Sequence, residues 1–187
     1  MTERSYLLQV AGLERQLPLC RVADDFYIAA FIMFGDVELT KRCAAELLKK
    51  APEYDVMVTA ESKGIPLLYE MARQAGRNDY IVARKGPKLY MRDVLTTEVD
   101  SITTDHRQIL CIGGQEADAM RGKRILIVDD VISTGESLAA METLIRQAGG
   151  EVAARMAVLA EGDAISRNDI ICLAPLPVFH ADGTPIE

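Results

Sequence analysis

Apolar residues recur along this chain with two different spacings. Short continuous apolar runs indicate buried strands, and apolar residues three and four positions apart indicate helices. The clearest helix covers 36–50, with Asp36 at the N-cap position and Leu39 and Cys43 on its apolar face. The predicted helices cover 36–50, 65–75 and 136–148 with a helical turn at 116–120, and the predicted strands cover 55–59, 80–83, 109–112, 125–128, 152–159 and 170–173.

The order of these elements predicts the fold class. Strands and helices alternate, which favours right-handed crossovers and a parallel sheet. The length of 187 residues suits one domain. We therefore expect a single α/β domain with a twisted, mainly parallel sheet and helices on both faces. Residues 1–24 indicate an arm with one or two short strands, and residues 85–108 form a long polar stretch punctuated by Gly and Pro.

Composition and charge narrow the classes of partner. The net charge of −7 argues against nucleic-acid and anionic-membrane binding. The apolar runs are broken by charges well short of a membrane span, and the N-terminus lacks the pattern of a secretion signal. Four scattered cysteines and two isolated histidines give little support to a zinc site or a Cys/His nucleophile. We expect a cytoplasmic protein with reduced thiols.

The most informative stretch is 125–137, where an apolar strand runs into Asp129 and Asp130 and a helix starts at Glu136. Ligands of open α/β sheets bind beyond the carboxyl ends of strands, and the free N–H groups of a helix start favour phosphate. Two carboxylates would repel a bare phosphate, so they need sugar hydroxyls or a magnesium ion as partners. The stretch therefore predicts a phosphorylated-sugar site. An ordinary capped helix start is the alternative, although a cap needs only one side chain.

These thirteen residues resemble the phosphoribosyl-pyrophosphate (PRPP) binding motif of the type I phosphoribosyltransferases. The resemblance covers roughly residues 30–160 and favours the purine branch, in particular the adenine and xanthine/hypoxanthine enzymes. It implies a core of 36–159 under a small hood built from 1–35 and 160–187. It implies that Asp129 and Asp130 act catalytically on the ribose and hold Mg²⁺ directly or through water. The implied 5-phosphate contacts are Val131, Ile132, Ser133, Thr134, Gly135, Glu136 and Ser137.

Two further stretches resemble parts of the same family site. The stretch 59–66 resembles the pyrophosphate loop of the family. The resemblance implies a non-proline cis peptide bond in this stretch, and we favour the bond Glu61–Ser62 over Ser62–Lys63. An ordinary helix start capped by Ser62 explains the local pattern about as well. The stretch 83–88 places three cationic side chains after a predicted strand. The alternative interpretation is that these side chains are simply exposed to solvent and bind nothing. The implied pyrophosphate contacts are Glu61, Ser62, Lys63, Gly64, Arg84, Lys85 and Lys88.

The stretch 85–108 is longer than most connections in a compact domain, and connections of this length usually have a function or are disordered. In the family this segment closes over the bound substrates, where a lid protects the glycosyl cation from water. Ser101, Thr103 and Thr104 are candidate lid contacts.

The base pocket is the least specific part of the resemblance. Phe31 or Phe34 could stack on a purine or belong to the core, and Glu161 stands where purine enzymes keep an acid in the base pocket. The Phe-Arg-Asp step of the adenine enzymes is missing. Gly162 stands where xanthine and guanine enzymes have a lysine, which favours adenine.

The resemblance as a whole implies transfer of 5-phosphoribose from PRPP to a purine base by a homodimer. A xanthine or hypoxanthine/guanine enzyme and a PRPP-binding regulator without turnover stay open. An orotate or uracil enzyme and a structural sugar-phosphate-binding protein fit the sequence less well.

Overall fold

The computed structural model describes residues 4–99 and 108–186. Its strands are β1 (Ser5–Val10), β2 (Leu13–Ala23), β3 (Phe26–Ala29), β4 (Val56–Ala60), β5 (Ile81–Ala83), β6 (Leu95–Val99), β7 (Gln108–Ile112), β8 (Arg124–Ile132), β9 (Glu151–Glu161), β10 (Ile171–Leu176) and β11 (Val178–Phe179). Its helices are α1 (Val37–Lys50), α2 (Ile65–Gln74), α3 (Gly114–Met120) and α4 (Glu136–Gln147), with a 3₁₀ turn at Gly162–Ser166.

The central sheet has five strands in the order β10-β9-β8-β4-β5, and every neighbouring pair is parallel. Successive residues of β8 point to opposite faces. Leu126 and Val128 join the buried cluster that contains the apolar residues of α1 and α2, whereas Ile125 and Ile127 join the cluster of α3 and α4. The predicted α/β fold with helices on both faces is therefore confirmed.

Both ends of the chain contribute to a second, antiparallel sheet in the order β1-β2-β3-β11, which forms a hood over the first. Leu8, Phe31 and Phe179 of this region are buried in the same cluster as α1 and α2. The sequence predicts one or two short strands before residue 24, and the structure has two, β1 and β2, but β2 is longer than expected, with 11 residues. Most side chains of β2 are exposed or half-buried, so backbone pairing with β1 and β3 holds the strand and leaves little apolar pattern.

The stretch 85–108 also differs from the expected irregular loop. Its described part contains β6, which pairs antiparallel with β7. Leu-Thr-Thr-Glu-Val is only weakly apolar, and the strand depends on a partner outside the stretch. The candidate lid contacts Ser101, Thr103 and Thr104 lie outside the described residues.

Helix α1 begins as the sequence predicts. The side chain of Asp36 accepts a hydrogen bond from the backbone N–H of Leu39 at 3.0 Å, and Arg15 of the hood binds the same carboxylate. This contact therefore ties the hood to the start of the first core helix. None of the helices in the described ranges is long and apolar enough to cross a membrane.

Candidate active site

The two motif acids lie inside β8 rather than after it, since Asp129 pairs with Ala157 and the strand continues to Ile132. Asp130 is 3% exposed. The backbone N–H of Asp130 donates to Oδ1 of Asp129 at 2.9 Å. Burial raises the pKa of Asp129 well above its ordinary range, and the neighbouring charge of Asp130 raises it further.

Asp130 has an ion-pair partner in the loop that follows β4. Nζ of Lys63 lies 3.0 Å from its Oδ2. The geometry of this contact is not that of a hydrogen bond, so Oδ2 is a buried oxygen without a hydrogen-bond partner among residues 4–99 and 108–186. An oxygen in this state is suited to accept from a ligand hydroxyl or to bind a cation.

The loop 61–64 lies directly against the acid pair. A Cβ built on Gly64 would overlap Oγ1 of buried Thr59 and would lie 3.1 Å from Oδ1 of Asp129. Only glycine permits this approach without a shift of its neighbours. The peptide between Glu61 and Ser62 is cis, which confirms the favoured position. The acids and the loop therefore share one edge of the sheet.

Glu61 faces cations of the protein itself. Its Oε2 accepts from the backbone N–H of Lys85 at 3.1 Å, and Nη1 of Arg84 lies 3.8 Å from its Oε1. The Lys85 hydrogen bond and the Arg84 charge lower the pKa of Glu61. Arg84 also donates to the hydroxyl of Tyr90 at 3.2 Å, and its buried Nε has no hydrogen-bond partner in the described part of the chain. Lys85 and Lys88 are exposed. Glu61 is thus placed to organise the cationic loop, while Arg84 keeps an unused donor.

The segment 131–137 lies along a small cavity of about 80 Å³, which Ser133, Thr134 and Ser137 help to line. Gly135 has a φ of +83°, a left-handed conformation that glycine adopts without strain, and α4 begins at the next residue. Ile132 is buried in the core, so its expected contact with a phosphate can involve only its backbone. Val131 and Glu136 are half-buried beside it.

A second cavity of about 280 Å³ lies between the hood and the core. Phe31, Lys63, Ser133 and Glu161 help to line it. Burial raises the pKa of Glu161. Phe34 is 52% exposed and does not line this cavity. The structure therefore brings Phe31 and Glu161 together beside the loop 61–64 and the segment 131–137, and places Phe34 elsewhere.

Sequence reasoning missed one cation at this edge. Arg167 follows the 3₁₀ turn after β9 and donates from Nε and Nη2 to Asp169, at 2.9 and 2.8 Å. A Cβ built on Gly135 would lie 2.6 Å from its Nη1. Its position in the sequence could have indicated Arg167, because it follows the carboxyl end of β9, and β9 is the neighbour of the motif strand β8 in the sheet.

Comparison with known proteins assigns the chain to a family. The phosphoribosyl transferase domain matches residues 36–174. The adenine phosphoribosyltransferase of Mycobacterium avium is 29% identical over 174 residues, which is 91% of each chain. The hypoxanthine/guanine phosphoribosyltransferase of Methanosarcina mazei is 35% identical over 109 residues, which is 58% of this chain and 53% of that protein. Alignments with two further adenine phosphoribosyltransferases span 62% and 56% of their lengths.

A solved structure agrees on the fold. The adenine phosphoribosyltransferase of Thermoanaerobacter pseudethanolicus superposes with a TM-score of 0.62 at 23% identity, over 75% of this chain and 82% of that one. The family match covers more than half of the sequence and contains the acid pair, the loop 61–64 and the segment 131–137. The chain therefore belongs to the phosphoribosyl transferase domain family.

Proposed function

We propose that this protein transfers 5-phosphoribose from PRPP to a ring nitrogen of adenine and releases pyrophosphate. The observation that carries the proposal is the ion pair of Lys63 with Asp130 together with the close approach of Gly64 to Asp129, because they join the loop 61–64 to the acid pair at the end of the sheet that also holds the segment 131–137. The relatives named adenine phosphoribosyltransferase support the same reaction.

Each part of the edge suits one part of PRPP. Asp129 and Asp130 would accept hydrogen bonds from the ribose hydroxyls and stabilise the positive charge that develops at C1. The segment 131–137 would bind the 5-phosphate, mainly through backbone N–H groups at the start of α4. Residues 61–64 and the cations Arg84, Lys85 and Lys88 would bind the pyrophosphate as its charge builds. Little covalent work is needed, so positioning and charge would supply the catalysis.

The acid pair also fits a magnesium ion. Mg²⁺ prefers oxygen ligands and is usually held by one or two carboxylates together with substrate phosphates. Oδ2 of Asp130, which pairs with the charge of Lys63 but has no hydrogen-bond partner in the described part of the chain, is such a ligand, and Asp129 is the next residue. Among the described residues no group of three acids, histidines or cysteines could hold a metal, so PRPP itself would complete the coordination. The bound ion would neutralise part of the pyrophosphate charge.

The cavity between the hood and the core is the proposed base pocket. Phe31 offers an aromatic surface, and the carboxyl oxygens of Glu161 can accept hydrogen bonds from an amino or ring N–H group of a purine. Gly162 leaves no lysine to donate to a 6-oxo group, which favours adenine. The second candidate acceptor is hypoxanthine or guanine, which the Methanosarcina mazei relative supports.

The same proposal includes the setting of the site. Residues 1–35 and 160–187 would form the base-binding hood on the core 36–159, and 85–108 would act as its lid. A homodimer is supported by the exposed apolar side chains of Val37 and Tyr69, which line a groove of about 670 Å³ on α1 and α2. The four unpaired cysteines support a cytoplasmic location.

A base panel tests the proposal. The protein is incubated with PRPP, Mg²⁺ and adenine, hypoxanthine, guanine, xanthine, uracil or orotate, and pyrophosphate release is measured. Release is expected with adenine above the others. Binding of PRPP without release from any base would instead support the regulator.

Asp130→Asn separates catalysis from folding. Loss of the charge at C1 is expected to lower kcat by about 10²–10³-fold, as for other groups that stabilise a developing charge. Thermal unfolding should change little. Asp118→Asn, in an exposed acid of α3, is the control and should leave both measurements unchanged. Equal loss of folding and activity in Asp130→Asn would indicate a structural role.

A further inference from the structure

Arg167 has one guanidinium nitrogen that its own fold does not use. Nε and Nη2 form a two-bond fork with Asp169, and the side chain of Arg167 is 33% exposed. Nη1 has no hydrogen-bond partner within residues 4–99 and 108–186. The fork fixes the plane of the guanidinium, so the direction of the third nitrogen is fixed as well.

That free nitrogen lies against the loop before α4. A Cβ on Gly135 would come within 2.6 Å of Nη1, closer than real Cβ contacts. Glycine is therefore favoured at position 135 for two reasons, because it adopts the left-handed φ of +83° without strain and because it leaves room for the close approach of Arg167. No described acid bonds to Nη1, and the segment 131–137 itself carries one charged side chain, Glu136.

The orientation of Arg167 is itself supported. Asp169 also lies 3.7 Å from Nε of Arg155 in β9, and Arg155 bonds to Glu142 of α4. The ion pairs therefore run from Glu142 of α4 through Arg155 and Asp169 to Arg167, which lies beside Gly135. Such a network holds a donor in place before a ligand arrives.

We propose that Arg167 binds the 5-phosphate of the substrate through Nη1 and adds a full positive charge to that subsite. This inference rests on the proposed function. Backbone N–H groups carry partial charges, whereas a phosphate monoester carries about −1.5 to −2 charges at pH 7. A guanidinium donor is suited to balance that charge.

Product binding measures this contribution. Dissociation constants of AMP and of pyrophosphate are compared by calorimetry for the wild type, Arg167→Gln and Arg167→Lys. A hydrogen bond to a charged group corresponds to a loss of about 10- to 100-fold, so the AMP constant should rise by that factor in Arg167→Gln and by less in Arg167→Lys. The pyrophosphate constant should stay within twofold, because that ligand binds at the other end of the site.

Arg121→Gln is the matched control. Arg121 is 70% exposed and also bonds to an aspartate, Asp118 at 2.9 Å, but it lies beside Gly149, at the opposite end of α4 from the segment 131–137. Neither constant should change in this variant. In the transferase assay, Arg167→Gln should raise KM for PRPP while KM for adenine stays unchanged.

Three results would overturn the inference. An AMP constant within twofold of wild type in Arg167→Gln would show that Nη1 does not reach the phosphate. A parallel loss of AMP and pyrophosphate binding, with no recovery in Arg167→Lys, would assign Arg167 a structural role. In both cases wild-type turnover leaves the proposed function standing. A wild-type protein that binds neither ligand and releases no pyrophosphate would refute the proposed function as well.

Discussion

Gly64→Ala perturbs the close packing of the loop 61–64 against the acid pair. Gly64 has a φ of −70° and a ψ of −14°, which alanine adopts freely, so backbone strain plays no part. The new methyl group would overlap Oγ1 of Thr59, whose residue is fully buried in β4, and would approach Oδ1 of Asp129 to 3.1 Å. Neither neighbour is the free end of a flexible side chain, so the loop itself has to move.

The expected magnitude follows from two opposing effects. Overpacking a buried position costs about 1–3 kcal/mol, and replacing glycine by alanine at a helix start returns up to about 1 kcal/mol. We therefore expect unfolding in urea to show a net loss of about 1–2 kcal/mol. In the proposed function the loop positions the pyrophosphate relative to C1, so a displacement of the loop by about 1 Å should lower kcat/KM by about 10²-fold.

A second substitution identifies the cause. Thr59→Ala removes Oγ1 and leaves only a 3.4 Å contact with Cβ, so the double variant should recover about 1 kcal/mol relative to the sum of the single variants. Activity should recover less, because the contact with Asp129 persists. Gly86→Ala is the control for stability, since nothing lies within 4 Å of its Cβ position. Wild-type stability and activity in Gly64→Ala would refute the reasoning.

Three further predictions concern the base pocket, the pH dependence of stability and the metal. Phe31→Leu should raise KM for adenine about 3- to 10-fold in steady-state assays, as expected for a lost aromatic contact, while Phe34→Leu should not; equal effects would contradict the assigned pocket. Arg73 lowers the pKa of Glu70 to about 2, so the ionised carboxylate of Glu70 stabilises the folded protein. This stabilisation is present at pH values above 4.5, the ordinary pKa of glutamate, and is lost as the pH falls from 4.5 towards 2. In urea unfolding, Glu70→Gln should therefore be less stable than wild type at pH 7 and nearly equal to it at pH 2, whereas the exposed Glu46→Gln should match wild type at both. EDTA should stop pyrophosphate release and added Mg²⁺ should restore it; release that is insensitive to EDTA would exclude the proposed metal.

The sequence predicts correctly those features that depend on interactions between residues close together in the chain. Asp36 caps α1 because its carboxylate reaches an N–H three residues later, and the apolar run of β8 identifies a strand buried on both faces. The acid pair and the loop 61–64 were found for the same reason, since each follows an apolar run of the sequence and precedes a helix. The family resemblance added the chemical roles, which spacing alone would not have provided.

The features that the sequence did not predict depend on distant partners. β2 and β6 are held by backbone pairing with other strands and have weak apolar patterns of their own. β8 extends through both acids because β9 pairs with it as far as Ala160. Arg167 and Gly135 are far apart in the sequence, with the whole of β9 between them. They lie close together because Gly135 follows β8, Arg167 follows β9, and these two strands are neighbours in the sheet.

The order of strands explains why these separate segments could act on one substrate. Across the sheet edge the order β5-β4-β8-β9 places the cations at 84–88, the loop 61–64, the acids with the segment 131–137, and finally Glu161 and Arg167. The groups of PRPP follow a matching order, from pyrophosphate through the ribose hydroxyls to the 5-phosphate. In the proposed function, parallel strands about 4.8 Å apart therefore set the spacing of the groups that bind PRPP, and the loops supply the side chains and N–H groups. On this argument, a substitution that shifts β4 relative to β8 should impair pyrophosphate and ribose binding together, while one beyond β9 should affect only the phosphate and base ends.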